Sequence, residues 1–318
     1  MRPESPGPPA RPVPLPLHAR APAKINLGLF VGRTPPTRED GRHELVSAMQ
    51  SISLADELTL EDAHGAPHDE VVCAGVAGEN LAARALALFR EATGWRHGPL
   101  RLSIEKRIPV AAGLGGGSAD AAATLRLAHA ASGLGDLDLL HVLAGKLGAD
   151  VPAQVTPGRW LATGAGERLE ALPDPVSPLG VLVLAQTSGL STAEVYAEAD
   201  RLGLGRDAFV LGERRQALVR ALELGLTLPA DACLLHNDLQ AASIALCPAI
   251  ALALEQVREA GAETALVSGS GPSVVGLYAR ANGVARAERA AAGLAGREPP
   301  PLAAVSVDSA FADVHSGR

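Results

Sequence analysis

Three separated stretches of the chain carry residue types that could together transfer a phosphoryl group. Lys24 and Asn26 alternate with apolar residues in a predicted strand, so an ammonium and an amide point to the same side. A glycine-rich turn covers residues 113–117, and Asp150 directly follows a predicted helix. Glycine turns let backbone amides approach an anion, and a carboxylate can accept the proton of a reacting hydroxyl. These residue types therefore predict phosphate binding combined with proton transfer.

The glycine turn lies between a predicted strand and a predicted helix. Residues 100–106 alternate apolar and polar side chains, and an alanine-rich segment without glycine or proline runs to Ser132. The amides of Gly116, Gly117 and Ser118 would converge at the positive end of this helix dipole, where phosphate is the usual anion. The turn is not G-x-x-x-x-G-K-[ST], because no lysine follows, and not G-x-G-x-x-G, because Ser118 occupies the sixth position. A third type of phosphate loop is therefore predicted.

The segment from Pro109 to Ala123, with its Gly-Leu-Gly-Gly-Gly-Ser core, resembles the phosphate-loop signature of the GHMP kinases. This resemblance implies ATP as the phosphoryl donor and Mg²⁺ as its companion ion. Ser118 is the residue that the resemblance implies as a magnesium ligand. The implied nucleotide-binding residues are Asn80, Pro109, Gly113, Leu114, Gly115, Gly116, Gly117 and Ser118.

Two further motifs resemble the branch of this family that phosphorylates a cytidine diphosphate methylerythritol. Residues 22–27 are similar to its opening motif, and residues 40–45 to its Asp-Gly-Tyr-His-Glu-Leu segment, with Arg42 in place of the tyrosine. An arginine guanidinium can also stack on a base plane. The resemblance implies Lys24 and Asp150 as catalytic residues. It implies contacts to the acceptor from Asn26, to the diphosphate from Thr192, and to the cytosine from Arg42, His43 and Tyr196.

Simpler structural interpretations exist for several of these residues. Asn80 is a good helix N-cap, and Asp150 can cap a turn. An aromatic residue at helical spacing, such as Tyr196, more often packs in a core. However, a carboxylate just past a helix end meets the negative pole of the dipole. A nearby cation would make Asp150 tolerable there, and Lys24 is the predicted partner.

The fold class that the resemblance implies is α+β, in two domains. A length of 318 residues and a hydrophobic content of 47% agree with two domains that each have a core. Residues 20–165 are expected to form an ATP-binding domain like ribosomal protein S5 domain 2. Residues 166–318 are expected to form a ferredoxin-like, substrate-binding domain. The proline-rich residues 1–19 are predicted to be a disordered extension.

Composition excludes several classes of function. The net charge of −7 argues against nucleic acid or a membrane surface as a partner, and no apolar run is long enough to span a membrane. Three cysteines without a C-x-x-C pair indicate neither a disulfide framework nor a zinc site, which is typical of a cytoplasmic protein. We expect a cytoplasmic monomer or homodimer that acts on a small molecule.

The expected function is ATP-dependent phosphorylation of a hydroxyl of the cytidine diphosphate methylerythritol, in non-mevalonate isoprenoid synthesis. One alternative is another GHMP kinase of the homoserine or mevalonate type, which the turn at His43 and the strand with Lys24 and Asn26 disfavour. The other alternative is a nucleotide-binding module without catalysis. The presence of both Lys24 and Asp150 argues against that alternative.

Overall fold

A computed structural model describes residues 11–35, 38, 40–75, 80–225 and 233–317, which form two β-sheets with flanking helices. The strands are β1 (Leu17–Val31), β2 (Leu45–Asp62), β3 (Glu70–Cys73), β4 (Leu100–Glu105), β5 (Arg159–Gly164), β6 (Arg168–Leu172), β7 (Gly180–Leu184), β8 (Thr264–Val267), β9 (Val274–Tyr278), β10 (Leu302–Val305) and β11 (His315–Ser316). The helices are α1 (Leu81–Thr93), α2 (Gly116–Ser132), α3 (Leu137–Leu147), α4 (Val151–Val155), α5 (Thr192–Arg201), α6 (Ala208–Glu223), α7 (Gln240–Leu246), α8 (Ala249–Glu259) and α9 (Gly283–Gly293). A 3₁₀ helix covers Ser309–Ala312.

The larger sheet is organised around the long strand β2. Its strand order is β11-β1-β2-β4-β3, with β5 also pairing β2 and β6 pairing β5. The first part of β2, residues 45–50, pairs with β5, and the last part, residues 57–62, pairs with β4. β2 thus pairs with β5 and β4 along different parts of its length, and with β1 along most of it.

The smaller sheet is antiparallel, in the order β10-β7-β9-β8. Helices α8 and α9 cover one of its faces through Leu182, Ile250 and Ala287. Its other face packs through Val183 against Ile25 of β1, in a core that both sheets share. A second core contains the alanine-rich helix α2 and also contacts β1. Because β1 contacts both cores, every residue from Ala21 to Val31 is buried.

The predicted α+β class is confirmed, and the extents of two predicted segments change. The prediction of disorder for residues 1–19 is wrong at its end, because the Val13 amide donates to Ala130 O at 2.9 Å and β1 already begins at Leu17. Leu17 is fully buried, so its burial stabilises this start of the strand. Residues 1–10 lie outside the described residues. The larger sheet also extends past the predicted boundary at residue 165, since β6 and β11 both belong to it.

No helix within the described ranges is both long enough and apolar enough to cross a membrane.

Candidate active site

Two irregularities in the pairing of β1 with β2 bracket Lys24 and Asn26. The register with β2 shifts between Pro22 and Lys24 and again between Asn26 and Gly28, and such irregularities redirect side chains. Lys24 Nζ donates to Asn26 Oδ1 at 2.9 Å, and Asn26 Nδ2 donates to Ser47 Oγ at 2.7 Å. Both side chains are buried, and a buried ammonium is costly unless it has such partners. The chain from Ser47 to Lys24 therefore holds the ammonium in one position.

Asp150 stands opposite this ammonium. Its Oδ2 lies 3.5 Å from Lys24 Nζ. Asp150 precedes the short helix α4 at the N-cap position, but its side chain accepts no capping hydrogen bond. The side chain is 42% exposed, whereas that of Lys24 is 9% exposed. The carboxylate is therefore open to a ligand, and the interpretation of Asp150 as a simple cap is not supported.

Arg126 of α2 links the two elements that carry this pair. Its Nη1 donates to Gln154 O in α4 at 2.6 Å, and its Nη2 donates to Arg20 O in β1 at 2.7 Å. Burial lowers the pKa of Arg126 to about 10, so the guanidinium is still charged at neutral pH. The helix that begins at the glycine turn thus sets the spacing between β1 and α4.

The shape of the glycine turn excludes side chains. Gly113 and Gly115 have φ values of +75° and +72°. A Cβ on Gly113 would lie 2.6 Å from the carbonyl oxygens of Ser268 and Gly271, which is too close for any residue but glycine. Gly115 is the N-cap of α2, and no side chain caps this helix. The first amides of α2 are therefore available to an anion.

A second glycine turn, residues 268–273, lies against the first. Asn237 Nδ2 holds it by donating to Val267 O at 2.8 Å and to Gly269 O at 2.7 Å. A Cβ added to Gly269 would stand 3.4 Å from Lys24 Nζ. The second glycine turn therefore lies close to the Lys24 ammonium.

Two cavities meet at the phosphate loop, and Gly113, Gly115 and Ser118 line both of them. The smaller cavity, of about 330 Å³, is lined by all the predicted nucleotide-binding residues, Asn80, Pro109, Gly113, Leu114, Gly115, Gly116, Gly117 and Ser118. The larger, of about 910 Å³, is lined by all the predicted catalytic and acceptor-binding residues, Lys24, Asn26, Arg42, His43, Asp150, Thr192 and Tyr196. The structure thus gathers the predicted residues into two adjoining sites with the expected division.

Lys106 anchors the strand that leads into the loop. Its Nζ donates to Asp56 Oδ2 at 2.5 Å and to Asp120 Oδ2 at 2.8 Å. Asp56 Oδ1 also accepts from the amides of Arg107 and Ile108, at 2.6 and 2.8 Å. Burial raises the pKa of Asp120 to about 7, although Lys106 acts in the opposite direction. This cluster forms part of the wall of the smaller cavity and fixes the start of α2.

A pair of rings lines the larger cavity. The rings of His43 and Tyr196 have centroids 5.1 Å apart and planes inclined by 35°. His43 Nε2 lies 2.7 Å from Asp200 Oδ1. Burial raises the pKa of Tyr196 to about 12, with a smaller contribution from the charge of Asp150. The Tyr196 hydroxyl therefore keeps its proton at neutral pH.

Thr192 and Arg42 also line the larger cavity. Thr192 Oγ1 lies 2.9 Å from Ser270 Oγ, which joins the start of α5 to the second glycine turn. Arg42 is half-exposed, and its Nε donates to Asp40 Oδ2 at 2.7 Å. Its guanidinium is therefore held at the rim of the cavity by Asp40.

Asn80 has the structural role that its residue type predicts. Its Oδ1 accepts from the amide of Ala82 at 2.8 Å, which makes Asn80 the N-cap of α1. The same residue lines the smaller cavity. Capping and nucleotide contact are therefore compatible at this position.

Sequence reasoning missed Ser47, Asp200 and Asn237 as parts of this region. Asp200 could have been found, because it lies one helical turn after Tyr196 and so shares its helix face. Ser47 carries no local signal, since only the pairing of β1 with β2 brings it to Asn26.

Two family models match the chain. The GHMP kinases N terminal domain matches residues 80–158, and the GHMP kinases C terminal domain matches residues 217–294. The 4-diphosphocytidyl-2-C-methyl-D-erythritol kinase of Leifsonia xyli is 40% identical over 280 residues, covering 83% of this chain and 88% of that protein. The enzyme of the same name from Pelotomaculum thermopropionicum is 43% identical over 270 residues, covering 82% and 88%.

Solved structures show the same similarity. A crystal structure of 4-(cytidine 5'-diphospho)-2C-methyl-D-erythritol kinase superposes with a TM-score of 0.72 at 34% identity, covering 91% of this chain and 99% of that one. The homoserine kinase of Cytophaga hutchinsonii superposes with a TM-score of 0.74 at 16% identity, covering 96% and 99%. The second likeness concerns the fold alone.

Proposed function

This chain belongs to the GHMP kinase family, and we propose that it transfers the γ-phosphoryl group of ATP to a hydroxyl of 4-diphosphocytidyl-2-C-methyl-D-erythritol, giving the 2-phosphate and ADP. The observation that carries the chemistry is the pair of Lys24 and Asp150 in the larger of two cavities that share a phosphate loop. The choice of this substrate follows from the names of the similar enzymes. The reaction belongs to non-mevalonate isoprenoid synthesis.

In the proposed reaction, the substrate hydroxyl oxygen attacks the γ-phosphorus, and the bond from that phosphorus to the β-phosphate oxygen breaks. Asp150 takes the hydroxyl proton, because its carboxylate is exposed to the cavity and has no capping role. Lys24 steadies the negative charge on the transferring group, since Asn26 holds its ammonium at the cavity wall. The free amides at the start of α2 bind the phosphates of ATP.

The residues around the loop fit a magnesium ion that arrives with the nucleotide. Magnesium usually keeps several waters and phosphate oxygens and takes only one or two protein ligands. Ser118 lines both cavities and offers a hydroxyl oxygen to such an ion. Among the described residues, no group of three or more His, Cys, Asp or Glu side chains could hold a metal alone. When bound, the ion would neutralise part of the phosphate charge.

The ring pair and the start of α5 support a nucleoside diphosphate as part of the acceptor. His43 and Tyr196 offer an aromatic wall to a base. No side chain caps α5, so its first amides, together with Thr192, can receive the diphosphate. Arg42 lies at the rim near the base.

The decisive test is ADP release from ATP, followed with a coupled assay and a panel of acceptors. We expect release with 4-diphosphocytidyl-2-C-methyl-D-erythritol and none with homoserine or mevalonate. Release with one of the latter two compounds would replace the proposed substrate. Binding of ATP without turnover of any acceptor would indicate a nucleotide-binding module instead.

A further inference from the structure

Helix α5 contributes two different side chains to the wall of the larger cavity, where the base of the proposed substrate would bind. Tyr196 and Asp200 are four residues apart, so they share one face of this helix. Both line the cavity, and both meet His43, which comes from the turn before β2. The side chain of His43 is only 12% exposed, while that of Asp200 is 61% exposed. Asp200 therefore contacts the mostly buried His43 ring from the side that faces solvent.

The hydrogen bond between these residues determines where the imidazole carries its proton. His43 Nε2 lies 2.7 Å from Asp200 Oδ1, and an ionised carboxylate can only accept. Nε2 must then be the donor. In the neutral ring the other nitrogen, Nδ1, is left as an acceptor. Such an acceptor suits a ligand that carries an amino group.

The position of Asp200 has no evident structural purpose. It stands in the last turn of α5, where the helix dipole disfavours a carboxylate. Its neighbour Glu198 pairs with Arg201 on the same helix, whereas Asp200 reaches across to His43. Ion pairs that are exposed to solvent contribute little to stability. The contact is therefore better explained by the orientation that it imposes on the His43 ring.

We infer that Asp200 is a positioning residue that holds the His43 ring with Nδ1 as an acceptor, and so makes the site select an aminopyrimidine over an oxopyrimidine. Cytosine carries a 4-amino donor where uracil carries an oxygen acceptor, so a base stacked on Tyr196 would offer opposite partners to His43. Sites that hydrogen-bond one such group reject the analogue that lacks it. This inference rests on the proposed function and deepens it by assigning the residue behind base selection.

Equilibrium binding of CDP and UDP, measured by calorimetry, tests the inference without any turnover. We expect the parent chain to prefer CDP, and Asp200→Ala to lower that preference by about tenfold. Asp200→Asn can still accept from Nε2 through its amide oxygen, so it should retain part of the preference. Glu198→Ala is the matched control on the same helix and should bind both nucleotides as the parent does. Unchanged preference in Asp200→Ala would overturn the inference.

Nitrogen-15 spectra of the imidazole give a second readout, which a merely structural role would not move. With His43→Ala used to identify the signals, the parent should show a proton on Nε2 only, and Asp200→Ala should lose that preference. Protons on both nitrogens of His43 in the parent would contradict the assignment of Nδ1 as an acceptor. If the chain selects CDP but releases no ADP from ATP in the presence of the full substrate, the proposed function is wrong and this inference is still supported.

Discussion

The carboxylate of Asp150 lies 3.5 Å from the ammonium of Lys24, and the two groups differ sharply in freedom. Lys24 is buried in β1 and fixed by Asn26, whereas Asp150 begins α4 with its side chain open to the larger cavity. A fixed cation beside a free carboxylate suits phosphoryl transfer, because the carboxylate can accept the hydroxyl proton while the ammonium stabilises the charge on the transferring group.

Asp150→Asn should abolish turnover while ATP still binds. The amide keeps the size of the side chain but cannot accept the hydroxyl proton, so we expect kcat to fall by about a thousandfold. ADP release gives kcat, and calorimetric titration with ATP gives the affinity, which should change little. The control is Asp138→Asn, at an exposed position in the first turn of α3. Near-normal turnover in Asp150→Asn would refute the role of Asp150.

Gly113→Ala should weaken ATP binding because the new Cβ would meet two carbonyl oxygens at 2.6 Å. The loop must then move away from the second glycine turn, and φ at this position is also unfavourable for alanine. We expect KM for ATP to rise by about tenfold or more, as the loop amides no longer converge. Gly212→Ala is the matched control, since α6 leaves open space there and alanine favours a helix. Equal KM values for the two variants would remove Gly113 from the phosphate site.

Arg42→Ala should weaken the cytidine substrate more than ATP. Arg42 lines only the larger of the two cavities that meet at the loop, so ATP affinity should not depend on it. Because Asp40 already holds the guanidinium at 2.7 Å, we expect a modest effect, about threefold to tenfold in KM for the cytidine substrate. Arg201→Ala provides the comparison, as Arg201 is exposed and paired with Glu198. Unaltered substrate binding in Arg42→Ala would exclude Arg42 from the pocket.

Asp238→Asn should destabilise the fold at neutral pH and lose this effect in acid. Burial alone would raise the pKa of Asp238, but hydrogen bonds from His236, Arg206 and the Val31 amide lower it on balance below its ordinary value of 3.8. The ionised form therefore contributes stability above about pH 4, and this contribution disappears as pH falls through the lowered pKa.

The measurement for Asp238→Asn is urea unfolding of the parent and the variant between pH 7 and pH 3. We expect a difference of about 1–2 kcal/mol at pH 7, because a hydrogen bond to a charged group is lost, and a smaller difference at pH 3. Glu255→Gln, at an exposed position in the interior of α8, should show no such trend. A difference that stays constant with pH would mean that the charge of Asp238 is not what stabilises the fold.

Local patterns in the sequence predicted most of the elements near the site. The alternating residues 100–106 contain β4, the alanine-rich segment forms α2, and Asn80 is an N-cap. These features depend on neighbouring residues, which is why short-range periodicity and propensity suffice. Local patterns do not show where β1 and β2 end, because these ends are stabilised by pairing with distant strands rather than by their own residues.

The sequence by itself determined the chemical groups of this protein: the glycine cradle, a lysine, a free carboxylate and an aromatic partner for a base. It also predicted Lys24 as the partner of Asp150, and the structure places the two groups 3.5 Å apart. Only the tertiary structure decided that Asp200 holds His43 and that two cavities share one loop. The physical reason is that these contacts join elements far apart in the chain. Their geometry is set by the irregular pairing of β1 with β2, by the double-sided burial of β1 and by the Arg126 link, none of which leaves a local pattern.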